Sequence, residues 1–149
     1  MAGDAEISIV VPVRDAQETI VQTLEALLEQ CRGRDAEVIA AVSAQDPSRE
    51  ALRGIAGVRV VEMPGRRSVP QLRGEGIRAA RGRLVAITED HCLFSADWVS
   101  TLVEIHGQRR VAAAGGPVEN GRAGGAHDWA IYFSRYLGAM PPVAGSSPR

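Results

Sequence analysis

The chain has 149 residues, 45% of them hydrophobic and 23% charged, with a formal net charge of -1 and arginine as every one of its 17 basic residues. Such a length and apolar share suit one globular domain with its own core, and they exclude a disordered segment. Without lysine there is no Walker-type phosphate loop, no Schiff-base chemistry and no kinase strand lysine. The near-neutral charge balance makes nucleic acid an unexpected partner.

Cys31 and Cys92 match neither zinc-ligand nor redox spacing and read as free thiols. Met1 to Glu6 has no basic-then-apolar signal pattern, and no apolar run reaches the ~20 residues of a membrane span. The expected location is therefore the cytoplasm, free or at the inner face of the membrane.

Ile7 to Pro12 is a β-branched run ended by proline, the pattern of a strand buried on both faces. Asp15 and Glu18 have capping-box spacing, and Ile20, Leu24, Leu27, Leu28 and Cys31 follow on one helical stripe. Glu37 to Val42 and Val58 to Glu62 read as further strands, separated by a polar turn, Ser43 to Ser48, and a short helix ending near Gly54. Ser68 and Gln71 form a second capping-box pair, ahead of a helix with Val69, Leu72, Ile77 and Ala80 on one face, closed at Gly82. Leu84 to Thr88 is the fourth predicted strand. Ser95 is placed to cap a helix carrying Trp98, Leu102, Val103 and Ile105, with His106 near its end, and Val111 to Ala114 is a candidate fifth strand before Gly115-Gly116-Pro117.

Strands alternating with helices predict an α/β fold, an open and mostly parallel sheet with helices on both faces. In such sheets ligands sit beyond the carboxyl ends of the strands, which singles out the turns Val13 to Asp15, Ser43 to Asp46 and Glu89 to Cys92. Glu89-Asp90-His91 offers carboxylates and an imidazole at one strand end. Glu89 with His91, Asp90 alone or Asp90 with Glu89 suits a divalent ion bridging to phosphate oxygens; the bland alternative is a loop cap. Gly74 to Ala80 has the G-x-G-x-x-A form of a dinucleotide fingerprint but lies inside a predicted helix, so close packing on the sheet is the better reading of Gly74 and Gly76. Arg73 beside them is either a solvated arginine or a bidentate partner for a diphosphate. The late aromatics Trp129, Tyr132, Phe133 and Tyr136, opened by His127 and Asp128, fall on one helical face and read as packing.

The order of these pieces resembles the amino-terminal part of the family 2 glycosyltransferases, which have a GT-A fold. Ile7 to Asp15 is similar to the family's "SIVIPTYN" opening, Leu72 to Gly82 to its "ARNxGIxxAxG" element, and Leu84 to His91 falls at its "iiafLDaD" motif. The resemblance runs from about Ile7 to Pro117, and Gly115 to Asn120 resembles the strand before the acceptor site in bacterial members. It implies a nucleotide-sugar-binding half over 1–117 and the start of an acceptor side over 118–149.

The resemblance further implies an inverting transfer of sugar from a nucleotide diphosphate donor to an unknown acceptor: a glycan, a lipid carrier or a small molecule. By position, Pro12, Val13 and Asp15 would line the base, Arg73 and Gly76 would lie at the donor, and Glu89 with His91, or Asp90, would hold Mg or Mn. Where the family has "VDDGS", this chain has Val42-Ser43-Ala44-Gln45, leaving Ser43 or Asp46 to replace the base-reading carboxylate. The general base of an inverting transferase comes from a later acidic motif in the family, and Arg149 ends the chain before one. The expectation is weak donor binding at best and no turnover by this chain alone. The other reading is a noncatalytic nucleotide- or partner-binding α/β domain.

Overall fold

The four predicted strand segments become strands, β1 (Ile7–Val13), β2 (Ala36–Ser43), β3 (Val58–Met63) and β4 (Leu84–Ile87), in a computed structural model that describes residues 5–121 and 124–141; β1 and most of β2 are buried as expected, whereas β3 is half-buried and β4 exposes Val85 and Ile87. All pairings are parallel, and the order across the sheet is β3-β2-β1-β4. The chain moves outward from β1 to β3 and then returns to the far side of β1. The β1/β4 boundary is therefore the topological switch point, beyond whose carboxyl ends α/β sheets bind ligands.

Helices α1 (Ile20–Cys31), α2 (Arg49–Arg53), α3 (Val69–Ala79) and α4 (Trp98–Gln108) follow the strands in turn. Strand alternation divides the core between two faces. Ile7, Ile9, Val11 and Val13 of β1 join Ile20, Leu24, Leu27, Leu52 and Val99 in one buried cluster, and each fully buried aliphatic side chain there contributes roughly 1.5–3 kcal/mol. On the opposite face Leu72 of α3 meets Ala41 and Met63, so helices cover both faces as expected.

Close approach by α3 depends on Gly76: a Cβ at this position would lie 2.3 Å from Val10 Cγ1. The glycine pair of the apparent fingerprint is helix interior, and its second member is a packing residue. The capping box at Ser68 and Gln71 is present, with the Ser68 N–H donating to Gln71 Oε1 at 2.9 Å.

Four local expectations are corrected. Asp15 and Glu18 do not cap α1, whose N-cap is Thr19 without a side-chain bond. Asp15 has φ +52°, a left-handed turn that aspartate tolerates better than most residues, and the Thr19 hydroxyl turns instead to the Asp90 carbonyl. Ser95 lies upstream of α4, and the Val99 amide at the start of this helix is satisfied by Gln30 Oε1 at 3.0 Å, a cap supplied by α1. Leu72 and Gly76 form the buried face of α3, while Ile77 is exposed. Val111 to Ala114 is not a strand; a short alanine run with little branched surface has weak strand preference.

The chain divides into two compact units, Met1–Gln108 and Arg109–Arg149. In the second, α5 (Ala126–Tyr136) leads into a 3-10 turn (Leu137–Ala139). Its aromatic side chains meet one another, Trp129 lying tilted at 5.5 Å from Phe133 and edge-on at 5.8 Å from Tyr132, while Trp129 and Phe133 remain exposed. Tyr132 is buried and donates its hydroxyl to the Val118 carbonyl. Among the described residues no helix is long and apolar enough to cross a membrane, and both cysteines are free.

Candidate functional site

Three turns at the carboxyl end of the sheet are joined by side-chain to backbone hydrogen bonds. Asp90, in the turn after β4, accepts the Arg14 N–H on Oδ2 at 2.8 Å. Its own carbonyl accepts the hydroxyls of Thr19 at 3.0 Å and Thr23 at 3.3 Å. Asp46, in the turn after β2, accepts the Asp15 N–H at 3.0 Å on one oxygen and the Ser48 N–H at 2.9 Å on the other. Ser48 is fully buried, and its hydroxyl accepts the Ala16 N–H at 2.7 Å. Together these bonds fix the β1 turn from both sides; a carboxylate–amide bond of this kind is roughly twice as strong as a neutral one.

Beside these clamps lies a cleft of about 210 Å³ lined by Arg14, Asp15, Ser43, Asp46, Arg66 and Arg67. Ser43 ends β2, and its hydroxyl accepts the Arg67 N–H at 3.0 Å. A second groove, about 440 Å³, begins at the same Arg67 and runs along α3 past Gln71, Gly74 and Arg78. With two of its oxygens already accepting amides, Asp46 acts first as a loop clamp, and the wall of the cleft presents guanidinium donors.

The predicted residues are only partly brought together. Asp15, Ser43 and Asp46 share the cleft. Pro12 and Val13 are buried in β1, and the Val13 side chain belongs to the core cluster, so their side chains line no cleft. Gly76 lies against the sheet. Arg73 and Glu89 form an ion pair with each other, both about one-third exposed.

The three candidate metal ligands do not make a cage. Glu89 is paired with Arg73. Asp90 has one oxygen on the Arg14 amide and the other 2.9 Å from His91 Nδ1, which leaves the second ring nitrogen of a half-exposed imidazole. Among the described residues no group of three His, Cys, Asp or Glu side chains could hold a metal ion. The unsatisfied buried polar atoms nearby are of the opposite kind: Nε of Arg67 and of Arg73 are buried donors without a hydrogen-bond partner. The donor set thus does not fit a protein-held divalent cation.

Arg66 and Arg67 were not among the sequence-predicted residues. They sit in the turn after β3, beyond Gly65, which has φ +69°. The rule that pointed to the turns after β1, β2 and β4 applies equally to this one, and the Pro64-Gly65-Arg66-Arg67 run was its signal.

No curated protein sequence matches the chain. Among solved structures, the mannosyltransferase PcManGT from Pyrobaculum calidifontis, in complex with GDP-Man and Mn2+, has a TM-score of 0.63 and 25% identity over 76% of this chain and 35% of its own. The crystal structure of S. aureus TarS has a TM-score of 0.60 and 13% identity over 77% of this chain and 39% of its own. The chain thus spans well under half the length of either neighbour, and its four-stranded parallel sheet is the GT-A-like fold that they share. The sequence profile described as Glycosyl transferase family 2 matches residues 8–141, and the chain belongs to that family.

Proposed function

We propose that this chain forms the nucleotide-binding side of a glycosyltransferase whose donor is a nucleotide diphosphate sugar. The observation that carries the reading is the arginine-lined cleft beyond the carboxyl ends of β1, β2 and β3, beside a β1 turn fixed by Asp46 and Ser48. Its volume of about 210 Å³ is below the ~300–1,000 Å³ of sites that enclose a whole small ligand. It suits one end of the donor, the nucleoside, while the adjoining groove of about 440 Å³ accepts more of the molecule. The GDP-Man complex of the P. calidifontis neighbour supports a donor of this class.

In the proposed reaction the acceptor hydroxyl oxygen bonds to the anomeric carbon as the bond from that carbon to the diphosphate breaks. The electron pair leaves with the nucleoside diphosphate, and the hydroxyl proton passes to a base, with inversion at the carbon. The acceptor is a glycan, a lipid carrier or a small molecule. The role of this chain is to bind and orient the donor: Ser43 and the Arg66 and Arg67 guanidiniums at the base and ribose, and Arg73 toward the diphosphate. Orientation of this kind is itself a large part of catalysis.

Titration calorimetry with UDP and GDP tests the reading. Binding at millimolar concentration or tighter is expected; no heat with either nucleotide, in buffers with and without Mn2+, contradicts it.

A further inference from the structure

We infer that this chain binds the donor diphosphate through arginine and without a divalent ion, an inference that rests on the donor-binding reading above. Glu89 and Arg73 cancel one another's charge, so a dication would have to displace a guanidinium before it gained a carboxylate. Asp90 cannot be withdrawn from its place without releasing the Arg14 amide on one side and His91 on the other. The single remaining imidazole nitrogen is a poor partner for Mg²⁺, which takes oxygen ligands, and makes no cage for Mn²⁺.

The side chains at the two grooves point the same way: Arg14, Arg66 and Arg67 line the cleft and Arg78 the adjoining groove. A diphosphate supplies several acceptor oxygens, and arginine binds them bidentately while staying charged at every working pH. Glu89 is then a positioning residue that holds the Arg73 side chain at the end of β4.

The test is calorimetry of GDP and UDP binding to the full chain in EDTA and again in Mn2+. Dissociation constants equal within about threefold in the two buffers are expected, with Arg73→Gln weakening binding about tenfold in both and Arg73→Lys, which keeps the charge, weakening it less. Circular dichroism melts establish that each variant is folded. A gain of about tenfold or more on adding Mn2+, abolished by Glu89→Gln or His91→Ala, overturns the inference and leaves the donor reading standing. Binding that is insensitive to Arg73→Gln also overturns it. Absence of binding in both buffers overturns the donor reading and this inference together.

Discussion

Asp90 accepts the backbone amide of Arg14 at 2.8 Å, and this bond ties the turn after β4 to the turn after β1 across the switch point of the sheet. The carboxylate is largely buried, with 13% of its side chain exposed, so an amide deprived of it would be left poorly solvated. Removing one partner of a charged hydrogen bond of this sort costs roughly 1.5–3 kcal/mol. Asp90→Ala is expected to lower stability by about 2 kcal/mol, and Asp90→Asn, which keeps an acceptor oxygen, by less. Urea unfolding of the two variants measures the difference; equal losses would contradict the role of the acceptor.

Three glycines make a graded test of packing. At Gly82 a Cβ would lie 2.4 Å from the Ser8 backbone nitrogen and 2.7 Å from the Ile7 carbonyl carbon, and backbone cannot step aside. Gly82→Ala is expected to cost ~3 kcal/mol or more. Gly76→Ala meets the Val10 side chain at 2.3 Å and is expected to cost ~1–3 kcal/mol through overpacking. Gly107→Ala, in α4 with nothing within 4 Å of its Cβ, should gain up to about 1 kcal/mol from helix propensity. Thermal melts that fail to rank the three in this order would contradict the close approaches at Ser8 and Val10.

Glu37 gives the fold a dependence on acid. Burial works against its charged form, but the Ser8 hydroxyl at 2.6 Å, the Arg81 amide at 2.7 Å and Arg59 at 3.3 Å outweigh it and hold the carboxyl below its ordinary range. The folded state therefore takes up this proton less readily than the unfolded state. The stabilisation is complete above the usual carboxylate range and is lost as pH falls through the lowered folded value. Glu37→Gln should be less stable than the parent near about pH 7, and the gap should narrow toward about pH 3. Urea midpoints at the two pH values check it; a constant gap would contradict the linkage.

Arg67 borders both grooves, while its backbone, not its side chain, bonds Ser43. Arg67→Ala is expected to weaken nucleoside diphosphate binding by about tenfold or more while shifting stability by less than ~0.5 kcal/mol. Calorimetry paired with a melt separates the two effects. Lost stability with retained binding would contradict a ligand role for this side chain.

The strands and most of the helices were legible because β-branched runs and helical stripes are local signals; β1 and most of β2 are buried as such runs announce, while β3 and β4, the outer strands of the order, are only partly buried. The Ser68–Gln71 capping box was legible for the same reason: its members are three residues apart. The capping of α1 and α4 was not, since Thr19 is drawn to Asp90 and Val99 is satisfied by Gln30, partners set by the tertiary fold. Val13 fits the family position by register, yet period-2 alternation turns its side chain into the core. The pairing of Arg73 with Glu89 spans 16 residues of sequence, and no spacing rule predicts that two candidate site residues will neutralise each other.

The central claim, that a nucleoside diphosphate sits at the carboxyl end of the sheet, is tested most directly by amide NMR of the isotope-labelled chain titrated with GDP and UDP. Shifts concentrated at Arg14, Asp15, Ser43, Asp46, Arg66 and Arg67 are expected, because these residues line one cleft. Spectra that do not move, or shifts confined to the opposite end of the sheet around Glu37, Arg81 and Gly82, would contradict the account.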